Sequence, residues 1–262
     1  MSDPSEPAPK DYTIAAVDRA LTVLEALGDH PDQGVTQISK RLGMTKTLVF
    51  RILSTLESRG FVTRDGDQAT YALGYRMGVL GERAGEQNVL LAAARPVMER
   101  LREDTAENIN LVVREENRSL VLATLAGRHA IRIFAQSGRL GPLHAGGGSL
   151  VLLAHAPPSV QAEVLSGALD AFTPTTITDA DDLSARLAQI RADDYLITQD
   201  DLDEGAFSIA APIRNRSNTV VAALSVAGAV VRLNDLRREA YLRQVRDAAA
   251  EVTVRLGLRS FA

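Results

Sequence analysis

Thr36-Gln-Ile-Ser-Lys-Arg-Leu-Gly-Met-Thr-Lys-Thr-Leu-Val-Phe-Arg-Ile-Leu-Ser-Thr-Leu-Glu-Ser-Arg-Gly60 is the stretch whose reading decides the fold. Thr36 is placed to cap a short helix, Gln37 to Leu42, and Gly43 then breaks the chain. Thr45 can cap a second helix running to about Arg59, with Leu48, Ile52, Leu53 and Leu56 on its buried face. Gly60 is well placed to end it. Two short helices joined by a tight glycine-containing turn describe a helix-turn-helix.

Upstream, Ile14, Val17, Leu21, Leu24 and Leu27 fall at helical spacing, and Gly28 closes that run. Downstream, Phe61 to Arg64 and a segment around Thr70 to Leu73 flank Asp65-Gly66-Asp67, which reads as a hairpin. Three helices and a hairpin over residues 13–75 make a winged helix-turn-helix domain. Residues 1–12, rich in Pro and acidic side chains, read as a disordered leader with neither the cationic nor the apolar part of a signal peptide.

Charge singles out the same stretch. From Thr36 to Arg64 there are six cations (Lys40, Arg41, Lys46, Arg51, Arg59, Arg64) and one acid, Glu57. That local balance of +5 sits on a chain with a formal net charge of −4. A cationic segment on an acidic protein is the electrostatic footprint expected of a protein that neutralises DNA phosphates, although a charge run can also be a solvated helix face. Lys46, Thr47, Phe50 and Arg51 lie towards the start of the second helix and away from its apolar face, where recognition helices touch base edges or flanking phosphates. Arg51 can fork onto a guanine, hold a phosphate, or pair internally with Glu57 or Asp18. The expected DNA-binding set is Arg19, Thr36, Lys40, Thr45, Lys46, Thr47, Phe50, Arg51 and Arg64, acting on a double-stranded operator.

Beyond the hairpin, residues 76–105 read as a linker helix, continuous but for an irregularity near Gly85, with Leu80, Leu90, Leu91, Val97 and Leu101 on its apolar side. Asn108 to Leu125 and Ala130 to Ala135 alternate like strands. Ala145-Gly-Gly-Gly148 opens an apolar helix, Ser149 to His155. Helices near Ser159 to Leu165 and Asp181 to Ala192 follow, then strands around Ser208 to Ala211 and Val220 to Val226. A last amphipathic helix after Asn234 runs to Leu256, carrying Leu236, Leu242, Val245, Ala249 and Val252. Strands mixed with flanking helices make residues 106–262 an α+β domain.

Composition fits a chain with a sizeable core: 45% of residues are hydrophobic and 24% charged. The absence of Cys excludes disulfides, thiolate metal sites and a cysteine nucleophile, and fits a cytoplasmic protein. No apolar run approaches the roughly 18 residues of a membrane span. Gly147-Gly-Ser-Leu-Val151 has Val where a nucleophile elbow needs Gly, and no His and carboxylate are recognisably arranged to serve Ser149. The triple glycine lacks the spacing of a dinucleotide fingerprint. The run Asp200 to Gly205 fails as a calcium loop, since Leu202 takes a ligand position, and reads instead as a carboxylate-rich helix N-terminus. The four histidines show no metal spacing. No enzyme activity, cofactor or metal is expected.

The chain resembles the IclR family of transcriptional regulators. The resemblance rests on Val17-Asp-Arg-Ala-Leu-Thr-Val-Leu24, Gly43-Met-Thr-Lys-Thr-Leu-Val-Phe-Arg51, Leu53-Ser-Thr-Leu56 and Tyr71-Ala-Leu-Gly74. Further on it rests on Pro142-Leu-His-Ala145, Leu152-Leu-Ala154, Asp200-Asp-Leu-Asp-Glu-Gly205, Ile209-Ala-Ala-Pro-Ile213 and Val221-Ala-Ala-Leu-Ser-Val-Ala-Gly228. It implies an α+β chain with an N-terminal winged helix-turn-helix, a linker helix and a C-terminal GAF-like effector-binding domain. It also implies a homodimer, extending to a dimer of dimers, that acts as a repressor under the control of a small organic-acid-like effector. The rival reading is a small-molecule-binding protein whose helix-turn-helix serves protein contacts.

By the resemblance, the effector lies against Leu143, Ala145, Gly147, Gly148, Thr198, Phe207, Ser208, Ser225 and Ala227. Small residues at a helix start leave N–H groups open to a carboxylate, although three glycines can also serve only a tight turn. The chain departs from the family pattern at Leu150 (commonly Lys), Thr198 (commonly acidic), Phe207 (often Arg or Lys), Ser208 (commonly Cys) and Ala227 (commonly Ser). These departures predict a less polar pocket and an aromatic or acyl acid as effector.

Overall fold

The computed structural model describes residues 13–129 and 136–258. The expected leader and the strand expected at 130–135 lie outside the described residues. The chain divides into two compact units between Gly85 and Glu86.

The first unit opens with helices α1 (Ala15–Asp29), α2 (Val35–Leu42) and α3 (Lys46–Ser58), and strands β1 (Gln33–Gly34), β2 (Val62–Asp65) and β3 (Thr70–Leu73). The strands pair antiparallel in the order β1-β3-β2, and β2–β3 is the expected wing. Asp65 tightens its turn by accepting the Asp67 N–H at 2.9 Å. The core is Val23, Leu27, Ile38, Val49, Leu53, Val62 and Tyr71. Val49 is fully buried, while Leu48, Ile52 and Leu56 are only partly so. Val49 and Leu53, four apart on one helix face, therefore set how α3 docks.

Thr36 does not cap α2. The helix starts two residues earlier, at Val35 with Gly34 as its N-cap, and Gln37 Oε1 accepts the Gly34 N–H at 2.8 Å. Thr45 does cap α3, accepting the Leu48 N–H at 3.3 Å. Gly60, at φ +75°, takes the left-handed conformation after α3 that a β-carbon disfavours.

The expected linker helix is two helices, α4 (Tyr75–Gln87) and α5 (Val89–Thr105). The break is at Asn88 rather than near Gly85. Asn88 stands in extended conformation, and its side chain caps α5 by accepting the Leu91 N–H at 2.9 Å. Leu80, expected on the apolar side, is exposed.

The second unit is built on an antiparallel six-stranded sheet, order β6-β5-β4-β9-β8-β7. Its strands are β4 (Asn108–Glu115), β5 (Arg118–Leu125), β6 (Leu140–Gly141), β7 (Leu196–Gln199), β8 (Ala206–Arg214) and β9 (Val220–Ala229). β7 was not expected from the sequence. Strand alternation separates two faces. Ile109, Leu111, Phe207, Ile209, Leu224 and Val226 pack on α5 and α9 (Asp235–Leu258). Val112, Ala210 and Ala223 pack on α6 (Gly147–Ala154) and α8 (Ala180–Asp193), with α7 (Pro158–Ser166) beside them. α9 buries Val245, Ala249 and Val252 as expected, and Tyr241 besides, but Leu236 in its first turn is 80% exposed.

Where β4 leaves α5, Glu107 is 2% exposed and is held by a two-pronged contact from Arg232. Tyr241 adds a tie by donating its hydroxyl to the Thr105 carbonyl at 3.2 Å. Burial, with the Glu107 charge nearby, pushes the Tyr241 phenol above its ordinary range.

Candidate functional site

The nine residues expected to meet DNA are all exposed. α3 is pinned by Val49 and Leu53, so Lys46, Thr47, Phe50 and Arg51 stand on its open side. Phe50, an aromatic at 52% exposure, has no place in the core of its own unit. Among the described residues Lys40, Lys46, Arg51 and Arg64 make no ion pair with a carboxylate, so Arg51 pairs with neither Glu57 nor Asp18. Arg64 lies over the Tyr71 ring, 5.8 Å from its centroid, which steers the wing cation without neutralising it. Thr45 spends its hydroxyl on the helix cap, leaving an N-terminal turn with no acidic residue. Such a turn, with its positive dipole end, suits phosphate.

A cavity of about 120 Å³ opens in the second unit between the N-terminus of α6 and the sheet. Its floor follows from register. Asn110 of β4 faces Ser225 of β9, which faces Ala210 of β8, and Ser208 faces Ala227 one row away. Small side chains on this face leave room for a ligand. Gly147 and Gly148 bring α6 close to that floor. A β-carbon on Gly147 would lie 2.6 Å from Ser208 Oγ, and one on Gly148 3.0 Å from Val112 Cγ2. These glycines are required by close approach. Gly146, at φ +88°, is required by conformation.

Of the nine residues expected at the effector, Gly147, Gly148, Phe207, Ser208, Ser225 and Ala227 line this cavity, and Leu143, Ala145 and Thr198 do not. Leu143 lies in an adjoining, more open basin. The Phe207 ring sits on the opposite face of the sheet, stacked on Tyr241 at 6.2 Å. Leu150 is buried among the residues that pack α6 on α8. Two of the departures expected to make the pocket apolar therefore put no side chain into it. Thr198 is buried with its hydroxyl unpartnered, beside Ser208 on the neighbouring strand.

The cavity also holds polar side chains that the sequence reading did not name. Asn110, Ser119, Arg139, Ser149 and Asp201 also line it. Asn110 carried a signal, since an amide alternating with Ile109 and Leu111 in a central strand points to the unfilled face. Ser119, Arg139 and Asp201 come from β5, the segment before β6, and the β7–β8 turn, and nothing local in the sequence joins them. Ser149 donates its hydroxyl to Ser119 Oγ at 2.9 Å, and Ser119 donates onward to the Pro142 carbonyl at 3.1 Å. The run Asp200 to Gly205 is that β7–β8 turn rather than a helix start. One of its carboxylates does serve a helix, because Asp201 Oδ2 accepts the Gly146 N–H at 2.7 Å, just ahead of α6.

Comparison with known proteins bears on both sites. The profile described as IclR helix-turn-helix domain matches residues 16–66, and that described as Bacterial transcriptional regulator IclR C-terminal matches residues 84–254. The HTH-type transcriptional regulator BhcR of Paracoccus denitrificans is 33% identical over 241 residues, 92% of this chain and 86% of that protein. KdgR of Escherichia coli is 28% identical over 250 residues, 95% of each chain. An IclR transcriptional regulator from Alicyclobacillus acidocaldarius superposes with a TM-score of 0.87 at 28% identity, covering 94% of this chain and all of that one. An IclR homolog from Microbacterium hydrocarbonoxydans, solved in complex with 4-hydroxybenzoate, gives 0.83 at 30% identity over 92% and 98%. The two profiles between them cover the winged helix and most of the α+β unit, and the identity to BhcR extends over both, so the chain belongs to the IclR family of helix-turn-helix transcriptional regulators.

Proposed function

We propose that this regulator is a cytoplasmic homodimeric repressor, able to pair into a dimer of dimers, whose operator affinity is set by a monocyclic aromatic or acyl acid. Residues 13–75 read the operator, and the cavity of the second unit takes the effector. Lys46, Thr47, Phe50 and Arg51 meet the major groove, while Lys40 and the wing residue Arg64 hold phosphate. Ligand binding shifts operator affinity by favouring one arrangement of the dimer over another.

The observation that carries the effector reading is the cavity itself. At about 120 Å³ it is of the order of a void that holds one aromatic ring, about 150 Å³. Its polar groups converge from β4, β5, α6, β8 and β9, which suits one small molecule with a carboxyl and a hydroxyl. The size of the space and the placement of these groups support the reading, whereas the side chains of Leu150 and Phe207 do not bear on it. The relative solved with 4-hydroxybenzoate lends it a precedent.

The test is a thermal-shift series on the full chain with 4-hydroxybenzoate, benzoate, pyruvate and glyoxylate, followed by operator binding with and without the acid that stabilises it. Stabilisation by the ring acids is expected, about 2.7 kcal/mol at a hundredfold excess over Kd. Stabilisation by glyoxylate or pyruvate alone would sink the reading.

A further inference from the structure

The cavity already contains a carboxylate. Asp201 Oδ2 accepts the Gly146 N–H at 2.7 Å, the position where the opening turn of α6 offers an amide to an anion. Asp201 lines the cavity, together with the next residue, Leu202. Ser225, 3% exposed, faces the same space, and its hydroxyl has no hydrogen-bond partner among the described residues. That hydroxyl is open to the cavity space, where it can donate to or accept from a ligand. The site thus combines an open polar group with a side chain filling the anion position.

The turn that carries Asp201 is fastened through its backbone. The Asp201 carbonyl accepts the Thr176 hydroxyl at 2.7 Å, and the Asp200 carbonyl accepts those of Thr175, at 2.6 Å, and Thr173. Asp200 Oδ1 takes the Gly205 N–H at 2.5 Å. None of these bonds uses the Asp201 side chain, so its carboxylate can leave Gly146 while the turn keeps its anchors. Leu202 lines both the cavity and the outer basin of about 560 Å³, as do Arg139 and Gly141.

We infer that Asp201 is an internal stand-in for the effector's carboxylate, occupying the anion position ahead of α6 until an acidic ligand displaces it. The inference rests on the organic-acid reading of the cavity. Two consequences follow from like charge. Asp201 lowers the affinity for acids, because a bound carboxylate must first expel it. It leaves neutral molecules of the same shape much less affected, since they meet no opposing charge.

The experiment compares the full-length wild type with Asp201→Ala and Asp201→Asn, using calorimetric titration of 4-hydroxybenzoate and its neutral counterpart 4-hydroxybenzamide. Asp201→Ala is expected to bind the acid about tenfold more tightly, a difference of about 1.4 kcal/mol, with the amide changed less than threefold. Asp201→Asn, which keeps an acceptor for Gly146 without the charge, should move the same way. Unchanged or weakened acid binding in both variants would overturn the stand-in role while leaving the cavity reading in place. Parallel shifts for acid and amide would also overturn it, since a merely loosened pocket does not distinguish charge. If no protein binds the acid at all, the organic-acid reading falls, and the stand-in falls with it.

Discussion

Arg232 grips Glu107 with two prongs, its Nε donating to Oε1 at 2.7 Å and its second arm to Oε2 at 2.6 Å. The two residues are 125 positions apart in the chain, and the carboxylate is almost fully enclosed. The pairing raises the Arg232 pKa, with the Glu107 hydrogen bond as the largest cause. Among the described residues, removing Arg232 leaves the buried carboxylate with only the His129 ring, 3.6 Å away, beside it. Arg232→Ala should therefore cost about 3–5 kcal/mol of stability in denaturant unfolding. The double variant Glu107→Gln, Arg232→Met should recover part of that loss. A double variant less stable than Arg232→Ala would show that the pair is not the cause.

Arg51→Ala and Lys46→Ala should each weaken operator binding. The side chains are exposed and unpaired, so folding stability should change by less than about 0.5 kcal/mol. For a cation that holds a phosphate, the slope of log affinity against log salt should fall by about 1. If Arg51 instead reads a guanine, its loss should cost about 1–3 kcal/mol on the operator and far less on random DNA. Titrations at several salt concentrations decide between these.

Gly147→Ala should abolish effector response while operator binding persists. Its β-carbon would arrive 2.6 Å from Ser208 Oγ and 2.9 Å from Ser208 Cβ, so α6 or β8 must move. Overpacking of this kind costs about 1–3 kcal/mol. The readouts are thermal stability, ligand-induced shift and operator affinity. A normal ligand shift would mean that α6 stands further from the floor in solution.

His155 should make the second unit sensitive to mild acid. Burial, then the Arg214 charge, lowers its pKa below 6.5, against an opposing pull from Asp194 at 3.6 Å. A depressed histidine is fully compatible with the fold above the unfolded pKa, and stability is lost as pH falls through 6.5 towards the folded value. His155→Gln should flatten that loss. Glu251, lowered mainly by its hydrogen bond to Arg100, acts in a separate and more acidic window, below 4.5. Unfolding at several pH values between about 2 and 8 should resolve the two. An unchanged slope near pH 6 in the variant would remove His155 from the account.

Asn88→Ala should cost about 1 kcal/mol, the usual worth of an N-cap, because Leu91 N–H loses its acceptor. Asn88→Asp should retain it. Stability measured on the full chain checks both.

What the sequence makes legible follows the physics that marks it. The helix-turn-helix was readable because glycines and caps punctuate it locally and because its cations cluster in one segment. Thr36 was misread as a cap because Thr and Gly both suit an N-cap, and only the Gln37 side chain, bonded to Gly34, decides between positions two residues apart. The linker break was expected three residues early because Gly85 is the conspicuous breaker by type, whereas the Asn88 cap shows only once its side chain turns back on Leu91. In the cavity, Gly147, Gly148, Ser208 and Ser225 stood out by type. Phe207 misled because its face is set by strand register, and a neighbour in sequence points the other way. Asp201 was visible only as part of an acidic run, since its partner, Gly146, lies 55 residues earlier.

The alternation along β8 and β9 has an evolutionary consequence. Large residues (Phe207, Ile209, Leu224, Val226) occupy one side, and small ones (Ser208, Ala210, Ala223, Ser225, Ala227) the other. On the effector reading proposed above, what the protein senses and what keeps it folded are written in interleaved letters of the same two strands. A lineage can exchange Ser208 or Ala227 and acquire a new inducer without disturbing the packing beneath α9. One scaffold can then be handed from one metabolic circuit to another by changes of a few atoms.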